Sequence, residues 1–158
     1  GIDVRKGVSV SRFLDGQLVL NDGREIQTGL VLWAAGATAH DWLSASGLET
    51  DHGFPLVGPT LESHSHPGVF VSGDAAAMNG MTVPKAGVYA VRQGPVLMQN
   101  LLARLKDRPL QAFRPQADYL KLVSLGRRAA LAEKWGLCVQ LPGLWWLKSR
   151  IDRAFVQG

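Results

Sequence analysis

Hydrophobic residues follow three different rhythms along this chain, and each rhythm predicts a different element. Between residues 8 and 28, short β-prone runs are broken at Asp15-Gly16 and at Asp22-Gly23. Asp-Gly between alternating runs is a strong hairpin signal, because both positions tolerate a positive φ. The pattern predicts a meander with strands at 8–14, 17–21 and 25–28. Residues 30–35 (LVLWAA) are then continuously apolar, as in a strand buried on both faces of a parallel sheet. Gly36 ends that run, and ATAHDWLSASGL reads as a loop with one helical turn.

The stretch GFPLVGPTLESHSHPG is dense in Pro, Gly and Ser and reads as short extended pieces between turns. Residues 69–72 predict a second buried strand. Beyond MNGMTVP the rhythm lengthens: Val88, Val91, Val96, Met98, Leu101, Leu102 and Leu105 recur every three to four residues and predict a helix over 85–105. Pro95 lies inside it, which predicts a kink or a local break near 91–93. KDRPLQAFRPQ reads as a linker. YLKLVSLGRRAALAEKW alternates like strands, and LPGLWWLKSRIDRAF reads as a closing helix. In that helix Leu144, Leu147, Ile151 and Phe155 form one stripe, with Trp145 and Trp146 beside it and Lys148, Arg150 and Arg153 opposite. Such a helix fits a membrane interface. It fits equally well against its own domain or a second subunit.

Composition narrows the class. With 46% hydrophobic and 19% charged residues over 158 positions, the chain is globular rather than disordered. It contains no uncharged apolar run of the length that spans a bilayer. Cys138 is the single cysteine, so an intrachain disulfide or a two-cysteine redox pair is excluded; it reads as a small core side chain in a reducing compartment. GIDVRKGVSV is unlike a secretory leader, and the expectation is a chain that begins inside a fold. Charge is uneven: residues 104–158 carry 11 basic and 4 acidic side chains, whereas 1–103 carry 6 and 9. The basic tail predicts an anionic partner. Nucleic acid is ranked out, because the basic residues accompany a tryptophan-rich apolar stripe and no recognised binding motif.

The chemistry concentrates where VFVSGDAAAM runs from an apolar strand into Gly73-Asp74. Ligands in open α/β sheets sit at the carboxyl ends of strands. Gly73 lets backbone approach a bulky polar group. Asp74 offers a charged acceptor to sugar-like hydroxyls, and Ala75, Ala76 and Ala77 leave room for something flat. Pro84, Lys85, Ala86 and Gly87 begin the next helix, whose free N–H groups suit an anion or a polarised carbonyl. Gly-Asp alone signals an ordinary turn; the ordered combination is more specific. Other candidates carry less. His64 and His66 lack a third ligand at metal spacing and read as a solvated loop, so no metal site is expected. His40 and His52 stand alone. No nucleophile elbow supports hydrolysis, and no residue is assigned a catalytic role. Trp33 reads as packing, and Arg127 and Arg128 as solvated charges.

Taken in order, these motifs resemble the C-terminal part of flavoproteins with two dinucleotide-binding domains, the pyridine nucleotide-disulfide oxidoreductases. DGREIQTGLVLWAAGATAH resembles the end of the nicotinamide-binding domain, and HPGVFVSGDAAA the second FAD motif, with His64 where the family often has threonine. Within the superfamily the chain resembles type II NADH dehydrogenases and sulfide:quinone oxidoreductases; VPKAGVYAVRQGPVLMQNL is similar to the NADH-dehydrogenase-like proteins joined to selenide, water dikinase. The resemblance implies a partial FAD/NAD(P)-binding α/β fold with a β-meander and a small α+β C-terminal region. Residues 1–40 would end the NAD(P)H-binding domain, 41–108 would complete the FAD-binding domain, and 112–158 would form an interface or membrane-association region. Asp74 would hold the ribityl hydroxyls of FAD, Gly73 would lie near the pyrophosphate, and Pro84, Lys85, Ala86 and Gly87 would meet the flavin edge. The intact parent would pass a hydride from NAD(P)H to FAD and electrons to an acceptor such as a quinone.

No G-x-G-x-x-G is present, so both phosphate fingerprints are expected upstream of Gly1, in the chain's own flavin and nicotinamide domains. This stretch alone is expected to be inactive and to hold FAD weakly. The expected location is cytoplasmic, with peripheral contact at the inner face of the membrane or a homodimer through 112–158. The alternative reading is a non-catalytic assembly or docking module that uses the basic C-terminal region.

Overall fold

The computed structural model describes residues 2–157, apart from the side chains of Phe155 and Gln157. The chain divides into two compact units, Gly1–Gly36 and Ala37–Gly158. The first is a three-stranded antiparallel meander, β1 (Val10–Leu14), β2 (Gln17–Leu20) and β3 (Glu25–Gln27). Both hairpins turn at the Asp-Gly pairs read from the sequence, with Asp15 at φ 48° and Gly16 at φ 77°. Leu14 pairs with Gln17 and Val19 with Glu25. The strand expected at 30–35 does not form. Leu30, Leu32 and Trp33 are exposed, Leu32 at 83%, so the packing role read for Trp33 is corrected. A run that is apolar on both faces becomes a buried strand only between neighbouring strands, and none pairs with it among the described residues.

In the second unit, α1 (Asp41–Ala45) precedes a short sheet of β4 (Thr50–Asp51), β5 (Phe54–Val57) and β6 (Ala77–Met78). β4 and β5 are antiparallel, whereas β5 and β6 are parallel, with Leu56 opposite Ala77 and Val57 opposite Met78. Between β5 and β6 the chain makes a tight reversal in which Leu61 N donates to Gly58 O and Gly58 N to Glu62 O. Leu61 sits there at φ 65° yet is completely buried. The left-handed conformation costs a branched residue about 1–2 kcal/mol, and burying the side chain returns about 1.5–3 kcal/mol. The buried strand expected at 69–72 does not form: Val69 is exposed, Phe70 makes only an isolated bridge to Glu62, and the segment is tied to the reversal by Ser63 N to Val69 O and Val71 N to Leu61 O.

The long helix α2 (Gly87–Arg104) runs without interruption through Pro95, so the break expected near 91–93 does not occur. Pro95 leaves the carbonyl of Val91 without its helical donor, but both residues lie on the exposed side of the helix, where that costs least. The buried face also differs from the expected one. Tyr89, Gln93 and Asn100 are buried, while Val91, Met98, Leu101, Leu102 and Leu105 are exposed. Tyr89 joins Val57, Leu61, Ala76, Met78 and Phe113 in the core, with Val96 and Leu97 packed against it.

The C-terminal part is an antiparallel sheet of β7 (Lys121–Gly126), β8 (Ala129–Lys134) and β9 (Leu137–Gln140), followed by α3 (Leu144–Gln157). α3 packs on β8 and β7. Ala130 and Ala132 are the buried residues of β8, small enough to admit a helix at close range. β9 is exposed along its whole length, Cys138 included, which corrects the core placement of that thiol. Phe155, expected on the apolar stripe of α3, lies outside the described side chains. Among the described residues no helix is long and apolar enough to cross a membrane.

Candidate functional site

Gly73 and Asp74 lie in a single 3-10 turn, Gly73–Ala75, that links the extended segment 69–72 to β6. Gly73 adopts φ 65°, and a Cβ there would stand 3.2 Å from the Ala90 Cβ on α2. The turn is therefore laid directly on the helix, and only glycine permits both the angle and the approach. Its N–H donates to the Gln93 side-chain oxygen at 2.5 Å, and Gln93 Nε2 reaches the Met78 sulfur at 3.9 Å. Gln93 is 2% exposed. It ties the turn, β6 and α2 to one another.

Lys85 fastens the same turn from the other side. Its ammonium donates to the carbonyl oxygens of Asp74, at 2.8 Å, and of Ala76, at 3.1 Å. It also lies 3.5 Å from the centre of the Phe54 ring. Burial pulls its pKa below the ordinary lysine value, and the nearby Asp74 charge opposes that shift. The side chain is thus turned onto the protein backbone.

Asp74 itself is exposed. Its carboxylate accepts no hydrogen bond and joins no ion pair among the described residues, in contrast to Asp22, Glu62, Asp118 and Glu133. Pro84 and Gly87 are exposed and Ala86 is half-buried; Ala86 is the N-cap of α2, in an extended conformation and with no side-chain cap. The first-turn amides consequently have no side-chain acceptor, and the helix dipole leaves them with partial positive charge. The structure thus brings Gly73, Asp74 and Lys85 together at one turn, with Pro84, Ala86 and Gly87 leading from Lys85 into α2.

The sequence reading missed two polar anchors. Asn100, fully buried, donates to the Thr60 and Gln111 carbonyls at 2.8 Å each and accepts from Gln111 N at 2.7 Å. With Gln93 it shares the helical spacing of Tyr89, and that spacing was the available signal. His64 places Nδ1 2.8 Å from Glu49 Oε2, and His66 places Nδ1 2.9 Å from Ser65 Oγ. Among the described residues no group of three metal-ligating side chains gathers.

Near the N-terminus of α2 a groove of about 980 Å³ opens between α2, β7 and α3. Ala86 and Gly87 form part of its wall, with Val88, Val91, Leu122 and Ile151 supplying much of the rest. Asp74 is not among its lining residues.

Comparison with known proteins bears on the family and the fold. The chain is 31% identical over 136 residues to a type II NADH:quinone oxidoreductase of Haemophilus influenzae, covering 83% of this chain and 30% of that protein. It is 30% identical over 116 residues to a probable NADH dehydrogenase of Dictyostelium discoideum, covering 72% and 26%. The chain therefore spans less than a third of these curated relatives. Among solved structures, the reductase in a covalent putidaredoxin reductase–putidaredoxin complex superposes with a TM-score of 0.55 at 19% identity, over 84% of this chain and 32% of that one. A ferredoxin reductase from Rhodopseudomonas palustris superposes with a TM-score of 0.52 at 18% identity, over 82% and 38%. These likenesses establish the fold, a partial FAD/NAD(P)-binding α/β architecture. Residues 1–94 match the family described as pyridine nucleotide-disulphide oxidoreductase, and the chain belongs to that family.

Proposed function

We propose that the chain contributes the ribityl and flavin-edge side of a cofactor site in an oxidoreductase that passes a hydride from NAD(P)H to FAD and electrons to an acceptor such as a quinone. One observation carries the reading: a glycine turn pinned to a helix by a buried glutamine and a lysine, presenting an aspartate whose carboxylate has no internal partner. A carboxylate held this way at the end of an extended segment suits hydroxyl donors, because a charged acceptor makes hydrogen bonds about twice as strong as a neutral one. The missing Cβ at Gly73 serves the turn's close approach to Ala90 on α2, which fixes where Asp74 stands.

When bound, the flavin supplies the hydride and electron chemistry. The residues of this chain hold and polarise. Asp74 accepts from ribityl hydroxyls. Gly73 holds the turn on α2 and so places Asp74. The uncapped amides at Ala86 and Gly87 favour negative charge at the neighbouring ring edge. Lys85 acts through the turn by neutralising the carbonyl oxygens beneath Asp74, and Pro84 fixes the entry of the chain into α2 without a competing N–H. The acceptor approaches along residues 81–87. The names of the relatives, a type II NADH:quinone oxidoreductase and a probable NADH dehydrogenase, support a nicotinamide donor and a quinone acceptor.

The test is Asp74→Ala in the intact flavoprotein, followed by flavin absorbance after gel filtration and circular dichroism. Loss of flavin with an unchanged dichroism spectrum is the expected result. Stoichiometric flavin in the variant would overturn the assignment, and retained flavin with lost oligomer would favour an assembly module.

A further inference from the structure

The groove between α2, β7 and α3 carries a second reading; it shares Ala86 and Gly87 with the proposed flavin edge, but its apolar wall and its charges come from other side chains. Its wall is apolar along Val88, Val91, Leu122, Ile151 and Val156. Four charged side chains line it. Lys121 is answered by Glu133 at 2.5 Å and Asp118 at 3.6 Å, and Lys148 by Asp152 at 2.6 Å, the fourth of the four. Arg92 has no carboxylate partner among the described residues, although it belongs to the same wall.

Arg92 also lines a second cavity of about 540 Å³, shared with Arg114, Gln111 and Phe113. Arg114 likewise has no ion-pair partner among the described residues. The segment that carries Arg114 is rigidly placed: Asn100 holds the backbone of Gln111 on both sides, and Phe113 N donates to Pro59 O at 2.8 Å. Arg92 thus lines both the apolar groove and the smaller cavity, and Arg114 shares the smaller cavity with it. An uncompensated pair of planar five-donor cations at the mouth of a greasy groove is complementary to an amphiphile with a planar anionic head. The groove volume falls in the range that encloses small organic ligands.

We propose that this groove binds a single-chain amphiphile with a carboxylate head, a long-chain fatty acid, with the tail along Val91, Leu122 and Ile151 and the head between Arg92 and Arg114. A neutral ligand would leave both cations unanswered.

Isothermal titration calorimetry of the intact flavoprotein with sodium dodecanoate, below its micelle concentration and at pH 8, tests the proposal against 1-dodecanol as the uncharged control. Saturable one-to-one binding of dodecanoate is expected, at least tenfold tighter than that of dodecanol. Arg92→Gln should weaken dodecanoate about tenfold and leave dodecanol unchanged, while Arg92→Lys should retain most of the affinity. Circular dichroism confirms that both variants fold, and Arg114→Gln supplies an independent variant if one fails. Equal affinity for dodecanoate and dodecanol, or indifference to both glutamine substitutions, would overturn the proposal in favour of a neutral occupant such as a quinone. Absence of saturable binding overturns it as well. Because flavin content is not read in this titration, its failure is distinct from failure of the flavin assignment.

Discussion

Around the Gly73–Ala75 turn, polar groups are matched: Gln93 answers Gly73 N, Lys85 answers two carbonyls, and Asn100 answers three backbone groups of nearby loops. The β7–β9 sheet with α3 is built the other way. Its ion pairs lie at the surface, its buried residues are mostly alanines, and Leu125, Trp135, Leu137 and Trp146 stand exposed. The first region holds one backbone conformation by buried hydrogen bonds, where an orphaned group is expensive. The second is held by strand pairing and one packed helix, and it leaves apolar surface open to other molecules. The contrast sets a rigidly held turn apart from a surface that is open to other molecules.

The sharpest way to break this contrast is Asn100→Ala. Three backbone partners lose their bonds in a buried site, and a loss of about 3 kcal/mol is expected in urea unfolding. A loss below about 1 kcal/mol would show that the polar anchors do not hold the turn region. Gly73→Ala comes next, at about 1–2 kcal/mol, from the left-handed φ and the contact with Ala90. Thermal unfolding by circular dichroism measures it. Substitution of Leu125 by Ser, on the open sheet, should change stability by no more than about 0.5 kcal/mol. A large loss there would mean that the exposed face is covered in solution.

Acid sharpens the comparison differently. Asp118 has its carboxyl pKa lowered chiefly by the Trp135 N–H, and Glu133 chiefly by its hydrogen bond to Lys121. A lowered folded-state pKa means that stability is fully present above the unfolded value, about 4. It is lost as pH falls through the folded-state values. Tryptophan fluorescence of the C-terminal part should therefore change below about pH 4, and Lys121→Met should move that change to higher pH. The turn region has one such carboxylate, Glu62, where burial raises the pKa but the Gly68 N–H and Arg104 together outweigh it.

The Asp-Gly hairpins, the long helix, the strands β7 and β8 and the closing helix were all legible in the sequence, because each is encoded by contacts between near neighbours. So was the Gly-Asp turn. The face of α2 was not. Val91, Met98, Leu102 and Leu105 make the better apolar stripe, yet the stripe that is buried contains Gln93 and Asn100. Their partners lie 20 and up to 40 residues away, so no local pattern announces that these amides are satisfied. Likewise Lys85 reads as a free charge at a helix start, until Asp74 and Ala76 fold back and offer their carbonyls.

The sequence by itself determined the two hairpins, the long helix and the closing helix, and that glycine and aspartate meet at one turn. Only the tertiary structure decided that the turn rests on α2, which of its polar groups are satisfied internally, and that Asp74 alone is left facing outwards. Local propensity acts over a few bonds. The cost of an unsatisfied buried group is settled only when distant segments close around it.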